Sequence, residues 1–236
     1  MSADLVTNGK LRAGINLSNF LLVKKHPDGS VTGIVPDLAA ELGRRLKAPV
    51  EFVHYEGPGH LADAALTNAW DVGFLGAEPQ RAAVIAFTDA YLEIPATYLV
   101  RAGSPIRSID QVDRPGVRIA TMAKSAYGLW LSRNVKKATL VRASTIAATF
   151  EMFKADKLEV LSGLLPRLVA DVEQLPGARI LEGKFTAVQQ AIGTPKARAA
   201  GAAYLQAFAA EMRQSGFVAD AIRRHGIKGV TVAGTA

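Results

Sequence analysis

Asp71-Val72-Gly73-Phe74-Leu75-Gly76-Ala77-Glu78-Pro79-Gln80-Arg81 is the stretch on which the reading of this 236-residue chain turns. Residues 72–75 are continuously apolar with no polar alternation, a run that suits a strand covered on both faces, as in a parallel sheet flanked by helices. Outward toward the N-terminus the pattern recurs. Residues 10–16 form a β-rich run, and the His26-Pro27-Asp28-Gly29 turn, whose Asp-Gly favours positive φ, leads into a hairpin arm at 31–33. In the helix that follows, Val35, Leu38, Ala39, Leu42 and Leu46 make a core face opposite Asp37, Glu41, Arg44, Arg45 and Lys47, with Pro36 in the first turn. A strand at 50–54, a Gly-Pro-Gly loop and a helix near 61–68 then complete a βαβαβ unit.

Toward the C-terminus, a helix-like piece at 79–85 and an extended stretch at 96–101 precede a restart of the same rhythm. A strand at 117–121 leads to a helix beginning near Ser125. A strand at 139–142 leads to one capped by Ser144 with Ile146, Phe150 and Phe153 on one face, and a strand at 158–161 to one carrying Leu165, Leu168, Val169 and Val172. A last strand pair at 179–181 and 188–192 precedes a long helix at 196–214, with Tyr204, Phe208 and Met212 at helical spacing and Gly216 as its stop. The expectation is an α/β fold of two lobes, each a mostly parallel sheet flanked by helices. Lobe 1 takes residues 1–100 and 190–236, lobe 2 takes 101–189, and a ligand cleft lies between them.

Composition narrows function mostly by exclusion. A 49% hydrophobic, 21% charged chain is ordinary for a globular protein, and its formal +7 gives a mild bias toward anionic ligands. The basic groups Arg44, Arg45 and Lys47, Arg133, Lys136 and Lys137, and Arg223 and Arg224 each close a helix-like stretch, where the helix dipole favours cations, so no nucleic-acid arm is indicated. The absence of cysteine removes disulfides, thiolate metal sites and cysteine nucleophiles. His26, His54, His60 and His225 have no i, i+3 or i, i+4 pairing, so neither a metal nor any cofactor is expected. The one approach to a phosphate loop, from Gly177 to Gly183 and Lys184, has a residue too many and Phe185 where a hydroxyl is needed. The small-residue stretch 199–210 is too short to cross a bilayer, and no membrane insertion is expected. The start of the chain has no secretory pattern, which implies a leader already removed or a cytoplasmic protein.

Glu78 to Arg81, followed by Ala86-Phe87-Thr88-Asp89-Ala90-Tyr91, resembles the turn and the Phe-Ser/Thr-x-Pro-Tyr segment of the family 3 solute-binding proteins of ABC importers. Leu11-Arg12-Ala13-Gly14-Ile15, Gly33-Ile34-Val35-Pro36-Asp37-Leu38 and Ser104-Pro105-Ile106 before Gly116-Val117-Arg118-Ile119-Ala120 match the same family in the same order. The resemblance implies the type II periplasmic-binding-protein fold, a periplasmic location and a permease partner for a monomeric chain. It places Arg81 where the family grips a ligand α-carboxylate with a guanidinium fork. Here the segment from Asp71 is two residues shorter than in the usual amino-acid binders, offers Leu75, Gly76 and Ala77 instead of hydroxyls, and has Glu78 in place of the usual Thr. An ion pair with Glu78 is therefore the other role open to Arg81. Lys124 and Ser125 stand where the family has Gly-Thr at a helix start, whose N–H groups bind carboxylates; Ser125 also suits an N-cap. Tyr127 is a pocket candidate and Trp130 is packing. Asn16, Asn19 and Phe20 match the first loop, where an aromatic covers the ligand. Leu164 occupies the position of the Asp that pairs with an α-ammonium, leaving Glu78, Glu93 or Ser162 to meet any ligand amine.

The function expected on these grounds is capture of a small anionic or zwitterionic metabolite between the lobes, with hinge closure about 96–101 and 187–191 and no bond made. A cyclohexadienyl-dehydratase-like enzyme on the same scaffold is the second reading, with Glu56, Glu93 and His54 as its acids; a ligand-sensing domain is the third.

Overall fold

The computed structural model describes residues 3–234. Strand β1 (Leu11–Asn16) is followed by the hairpin β2 (Lys24–Lys25) and β3 (Val31–Thr32), then α1 (Ile34–Leu46), β4 (Val50–Tyr55), α2 (Pro58–Asp63), β5 (Val72–Gly76), β6 (Ile85–Phe87) and β7 (Leu92–Val100). Next come β8 (Arg118–Met122), α3 (Ala126–Asn134), β9 (Thr139–Ala143), α4 (Ile146–Ala155), β10 (Val160–Leu164), α5 (Leu165–Val172), β11 (Arg179–Ile180) and β12 (Thr186–Pro195). Helices α6 (Ala199–Gln214) and α7 (Phe217–Arg224) and strand β13 (Thr231–Val232) end the described chain.

Two compact units result. One takes the chain up to Glu93 and from Gln189 onward, and the other spans Ile94–Val188, so the chain passes between them within β7 and within β12. The expectation placed the first boundary at residue 100; it falls earlier because Ala96–Val100 already form an antiparallel ladder with β10. In the first unit the strands run in the order β4-β1-β5-β12, and in the second β7-β10-β8-β9.

In the first unit, β1 pairs in parallel with both β4 and β5, as the apolar run of β5 required. Trp70 is completely buried with Leu61, Ala62, Ala65, Leu75 and Ile85, and its indole N–H donates to the Leu61 carbonyl at 2.9 Å. Helix α1 starts where it does because Gly33 adopts φ 132°, and a Cβ there would come within 2.3 Å of the Leu22 carbonyl oxygen. In the second unit, alternation along the strands sends Val100, Ile119 and Val160 to one face with Leu131 of α3, and Leu99, Ala120 and Leu161 to the other with Phe150, Phe153 and Leu168. Both faces of this sheet are therefore covered.

Several sequence-based expectations shift. The helix near 61–68 begins earlier, with Pro58 in its first turn, and decays into a 3-10 turn. The piece at 79–85 is only a 3-10 turn at Arg81–Ala83, because Ile85 is claimed by β6 and its pairing with Pro195. Helix α4 is capped by Thr145, not Ser144: the Thr145 hydroxyl accepts the Ala148 N–H at 3.0 Å. Val169 is 48% exposed instead of packed. Strands β11 and β12 do not pair with each other; β11 joins β7, and β12 joins β5 and β6. Helix α7 follows Gly216 and had no reading in the sequence.

Asp71, at the head of β5, is fully buried. Its carboxylate accepts the Arg12 backbone N–H at 2.8 Å, Arg12 Nη2 at 2.8 Å and the Thr7 hydroxyl at 2.7 Å, and lies 2.7 Å from Arg198 Nη1. Thr194 of β12 donates to the Asp71 carbonyl at 2.8 Å. Burial alone would raise the carboxyl's pKa, but the hydrogen bonds from Arg12 and Thr7 and the charge of Arg198 hold it below the usual value. A depressed folded-state pKa adds stability that is fully present above about pH 4 and fades as pH falls through the folded value. Asp71→Ala strands two largely buried guanidinium groups, and we expect it to cost about 3–5 kcal/mol of unfolding free energy in urea titrations at neutral pH. A loss below about 1 kcal/mol, typical of a surface pair, would contradict this account.

Candidate functional site

The candidate groups divide between the units, and within each they leave the carboxyl edge of parallel strands, where α/β proteins place their ligands. In the first unit, the loop after β1 carries Asn19 and Phe20, and the end of β5 carries Gly76, Ala77, Glu78 and Arg81. In the second, Lys124, Ser125 and Tyr127 follow β8, while Ser162 lies within the parallel neighbour β10 and Leu164 ends it.

Arg81 is 5% exposed and donates through Nη1 to the Gly76 carbonyl at 2.6 Å. Desolvation pushes its pKa down to about 10, opposed by the charges of Glu78 and Asp63. Its guanidinium thus closes the turn after β5, and the Glu78 carbonyl accepts the Ala82 N–H at 2.9 Å to tighten the same turn. The Ala77 N–H is used on the Gln189 carbonyl at 2.7 Å, and Gly76 pairs with Gln190. The backbone at this strand end therefore serves the sheet.

The first loop is held by Asn16, whose side-chain oxygen accepts both the N–H and the hydroxyl of Ser18, at 3.1 and 2.8 Å. Asn19 turns its carbonyl to the N–H groups of Leu22 and Val23, both at 3.0 Å. Its side-chain oxygen is buried with no hydrogen-bond partner, the kind of unsatisfied acceptor that calls for a functional explanation. Phe20 is 47% exposed, an aromatic held out of the core.

At the second unit's edge, Ser125 is the N-cap of α3. Its hydroxyl accepts the Gly128 N–H at 3.0 Å and donates to the Met122 carbonyl at 2.8 Å, so both of its roles are spent locally. A Cβ on Gly128 would fall 2.5 Å from that same carbonyl, which explains the glycine in the first turn of α3. Lys124, exposed, takes φ 54°, a left-handed conformation that costs a non-glycine residue about 1 kcal/mol or more. The Ser162 hydroxyl donates to the Ala120 carbonyl at 2.9 Å and stitches β10 to β8 instead of facing out. Leu164 is the buried N-cap of α5. Trp130, half-buried, packs against the core with its ring 5.3 Å from that of Phe185.

Tyr127 and Ser162 line one crevice together with Thr149, Leu164, Arg167 and Asp171. It encloses only ≈ 10 Å³, close to the least that admits one water. Burial pushes the Tyr127 hydroxyl up to about 12, with its hydrogen bond to Ser125 working the other way. Asp171 is 2% exposed in its side chain and sits 2.9 Å from Arg167 Nε; burial raises its pKa against the opposing charge of Arg167. This pair escaped the sequence reading, although Arg167 and Asp171 stand at i, i+4 just after Leu164-Leu165-Pro166 and so share one helix face. Of the acids of the enzymatic reading, His54 and Glu56 are exposed at and just beyond β4, and Glu93 is half-buried on β7, opposite Thr231 of β13. Among the described residues no group of His, Cys, Asp and Glu is placed to hold a metal ion, and no helix is long and apolar enough to cross a membrane.

An α/β chain in two units, with candidate ligand groups at the carboxyl edges of both, defines the two-lobed periplasmic-binding-protein fold. The chain belongs to the bacterial extracellular solute-binding proteins, family 3, whose profile matches residues 11–227. Among solved structures it is similar to the solute receptor for L-cysteine of Neisseria gonorrhoeae, with TM-score 0.80 and 18% identity over 97% of this chain and 95% of that one. It is similar to holo ArgBP from T. maritima, with TM-score 0.72 and 21% identity over 92% of this chain and 96% of that one. An ancestral amino acid-binding protein, a precursor of cyclohexadienyl dehydratase, gives TM-score 0.74 and 20% identity over 92% and 95%. No curated protein sequence matches.

The two residues at the α3 start should respond in opposite directions. Ser125→Ala removes the cap and should cost about 1 kcal/mol of stability. Lys124→Gly relieves the left-handed strain and should leave stability unchanged or raise it by up to about 1 kcal/mol. Urea unfolding of the two variants checks both signs.

Proposed function

We propose that this chain captures a small anionic or zwitterionic metabolite for an ABC importer, and that the groups of its two units meet on one ligand. The observation that carries the reading is the character of the second unit's edge. The side-chain hydroxyls are consumed, and the α3 start offers N–H groups that have no carbonyl ahead of them in the helix. Beside them stands the exposed Lys124, and the carboxylate that would meet an α-ammonium is replaced by Leu164. Such an edge favours a carboxylate and gives nothing to an amine. In the first unit, Arg81 supplies charge to the same ligand from behind the Gly76–Ala77 strand end, Glu78 borders it, and Phe20 provides an aromatic cover near the unsatisfied Asn19 oxygen.

An α-ammonium buried without a carboxylate partner loses its water for no charged contact, at a cost of several kcal/mol. Ordinary L-α-amino acids should therefore bind worse than the matching carboxylates that lack the amine. Thermal shift and calorimetry over paired sets of amino acids and 2-oxo acids test this. A true ligand at a hundredfold excess over Kd should add about 2.7 kcal/mol of stability. Lys124→Gln and Arg81→Ala should each weaken a bound carboxylate by about 1.5–3 kcal/mol. Sub-micromolar binding of a common L-amino acid would overturn the assignment of ligand class. The dehydratase reading draws on the likeness to a dehydratase precursor, and turnover of prephenate or arogenate would favour it over simple capture.

A further inference from the structure

The chain's excess positive charge is unevenly divided. The unit Ile94–Val188 holds 14 Lys and Arg against 8 Asp and Glu, a net +6, while the rest of the chain holds 14 against 13, a net +1. Some of the cations in the first group are neutralised, Arg118 by Glu159, Lys154 by Glu151 and Arg167 by Asp171. Four that are not, Arg114, Lys136, Lys137 and Arg142, gather at the corner between α3 and β9. All four are exposed, and none forms an ion pair among the described residues.

Local hydrogen bonds build this corner. The Asp113 carboxylate accepts the N–H groups of Lys136, Lys137 and Ala138 at 2.9, 2.7 and 2.8 Å, which ties the segment before β8, with Arg114, to the α3–β9 loop. Arg142 donates to the Ser132 hydroxyl of α3 at 3.1 Å and to the Leu140 carbonyl at 3.4 Å, leaning back along β9 toward the same loop. Lys136 Nζ donates to the Arg133 carbonyl in the last turn of α3 at 2.5 Å. Asp113 offsets one of the four charges. Arg114, Lys136 and Lys137 lie at the amino end of β8 and β9; Arg142, opposite Thr121 near the carboxyl end of the pair, reaches back toward them, and Lys124 and Ser125 lie beyond the carboxyl end of β8.

We propose that the α3–β9 corner is a docking surface for an anionic lipid bilayer. A folded partner selects discrete acceptors with matched geometry. Here the positive charge is carried by long, exposed side chains from three segments and reinforced by the surplus of a whole unit. A plane of lipid phosphates responds to that sum, each Lys or Arg near it adding its own share. Because three of the four cations, Arg114, Lys136 and Lys137, are at the strand ends opposite the candidate ligand groups of their unit, occupancy there leaves those groups open.

The test is sedimentation of the whole chain with vesicles of phosphatidylcholine alone or mixed with phosphatidylglycerol, at low and high salt. The chain should bind the mixed vesicles, ignore the neutral ones and be released by salt. Arg114→Gln with Lys137→Gln, neither of which carries a structural hydrogen bond through its side chain, should lower partitioning about tenfold or more. Lys24→Gln with Lys25→Gln removes the same charge from the β2–β3 hairpin and should change it by less than about twofold. Lys137→Gln alone is the milder probe if the double variant unfolds. Equal losses from the two double variants would show a net-charge effect and overturn the proposal, as would equal binding to neutral vesicles. Retention on immobilised polyglutamate through the corner, without vesicle binding, would make the partner an acidic protein and also overturn it.

Discussion

The buried carboxylate of Asp71 is the constraint from which the first unit is organised. An uncompensated charge in the interior would cost several kcal/mol, so the fold surrounds it with groups drawn from far along the chain. Thr7 and Arg12 come from the start, Arg198 from just ahead of α6, and Thr194 adds its hydrogen bond to the backbone beside it. These contacts fix β1, β5 and β12 at one end. The other end of β5 then carries Gly76 and the turn closed by Arg81. An ionic anchor at the amino edge and candidate ligand groups at the carboxyl edge are thus two ends of one short strand.

In the second unit the polar side chains that look most like ligand contacts are largely occupied with holding the edge together. Ser125 closes the first turn of α3, Ser162 binds β10 to β8, and Asp171 is locked to Arg167. What remains outward is backbone at a helix start and cationic side chains. That balance leaves the second edge with positive charge and N–H donors in place of free hydroxyl or carboxylate side chains. The strained backbone of Lys124 stands directly before the N-cap of α3.

The sequence by itself determined the strand and helix rhythm, the restart of that rhythm after residue 101, the family and the N-cap position of Ser125. These follow from local regularities: apolar runs set by burial on two faces, helical spacing of core residues, and turn chemistry at Asp28-Gly29. Tertiary structure decided what short-range pattern could not encode. Residues 79–85 have helical spacing, yet pairing of Ile85 with Pro195, more than a hundred positions away, draws them into a turn and a strand. Arg81 reads as a ligand grip or a partner of Glu78, and only the folded turn shows its guanidinium on the Gly76 carbonyl. Ser162 lies at a strand end in sequence, but the direction of its hydroxyl depends on which strand lies beside it. The corner of exposed cations forms because Asp113 joins two loops that are over twenty residues apart. In each case a side chain's partner is set by strand order and packing, which a one-dimensional pattern leaves open.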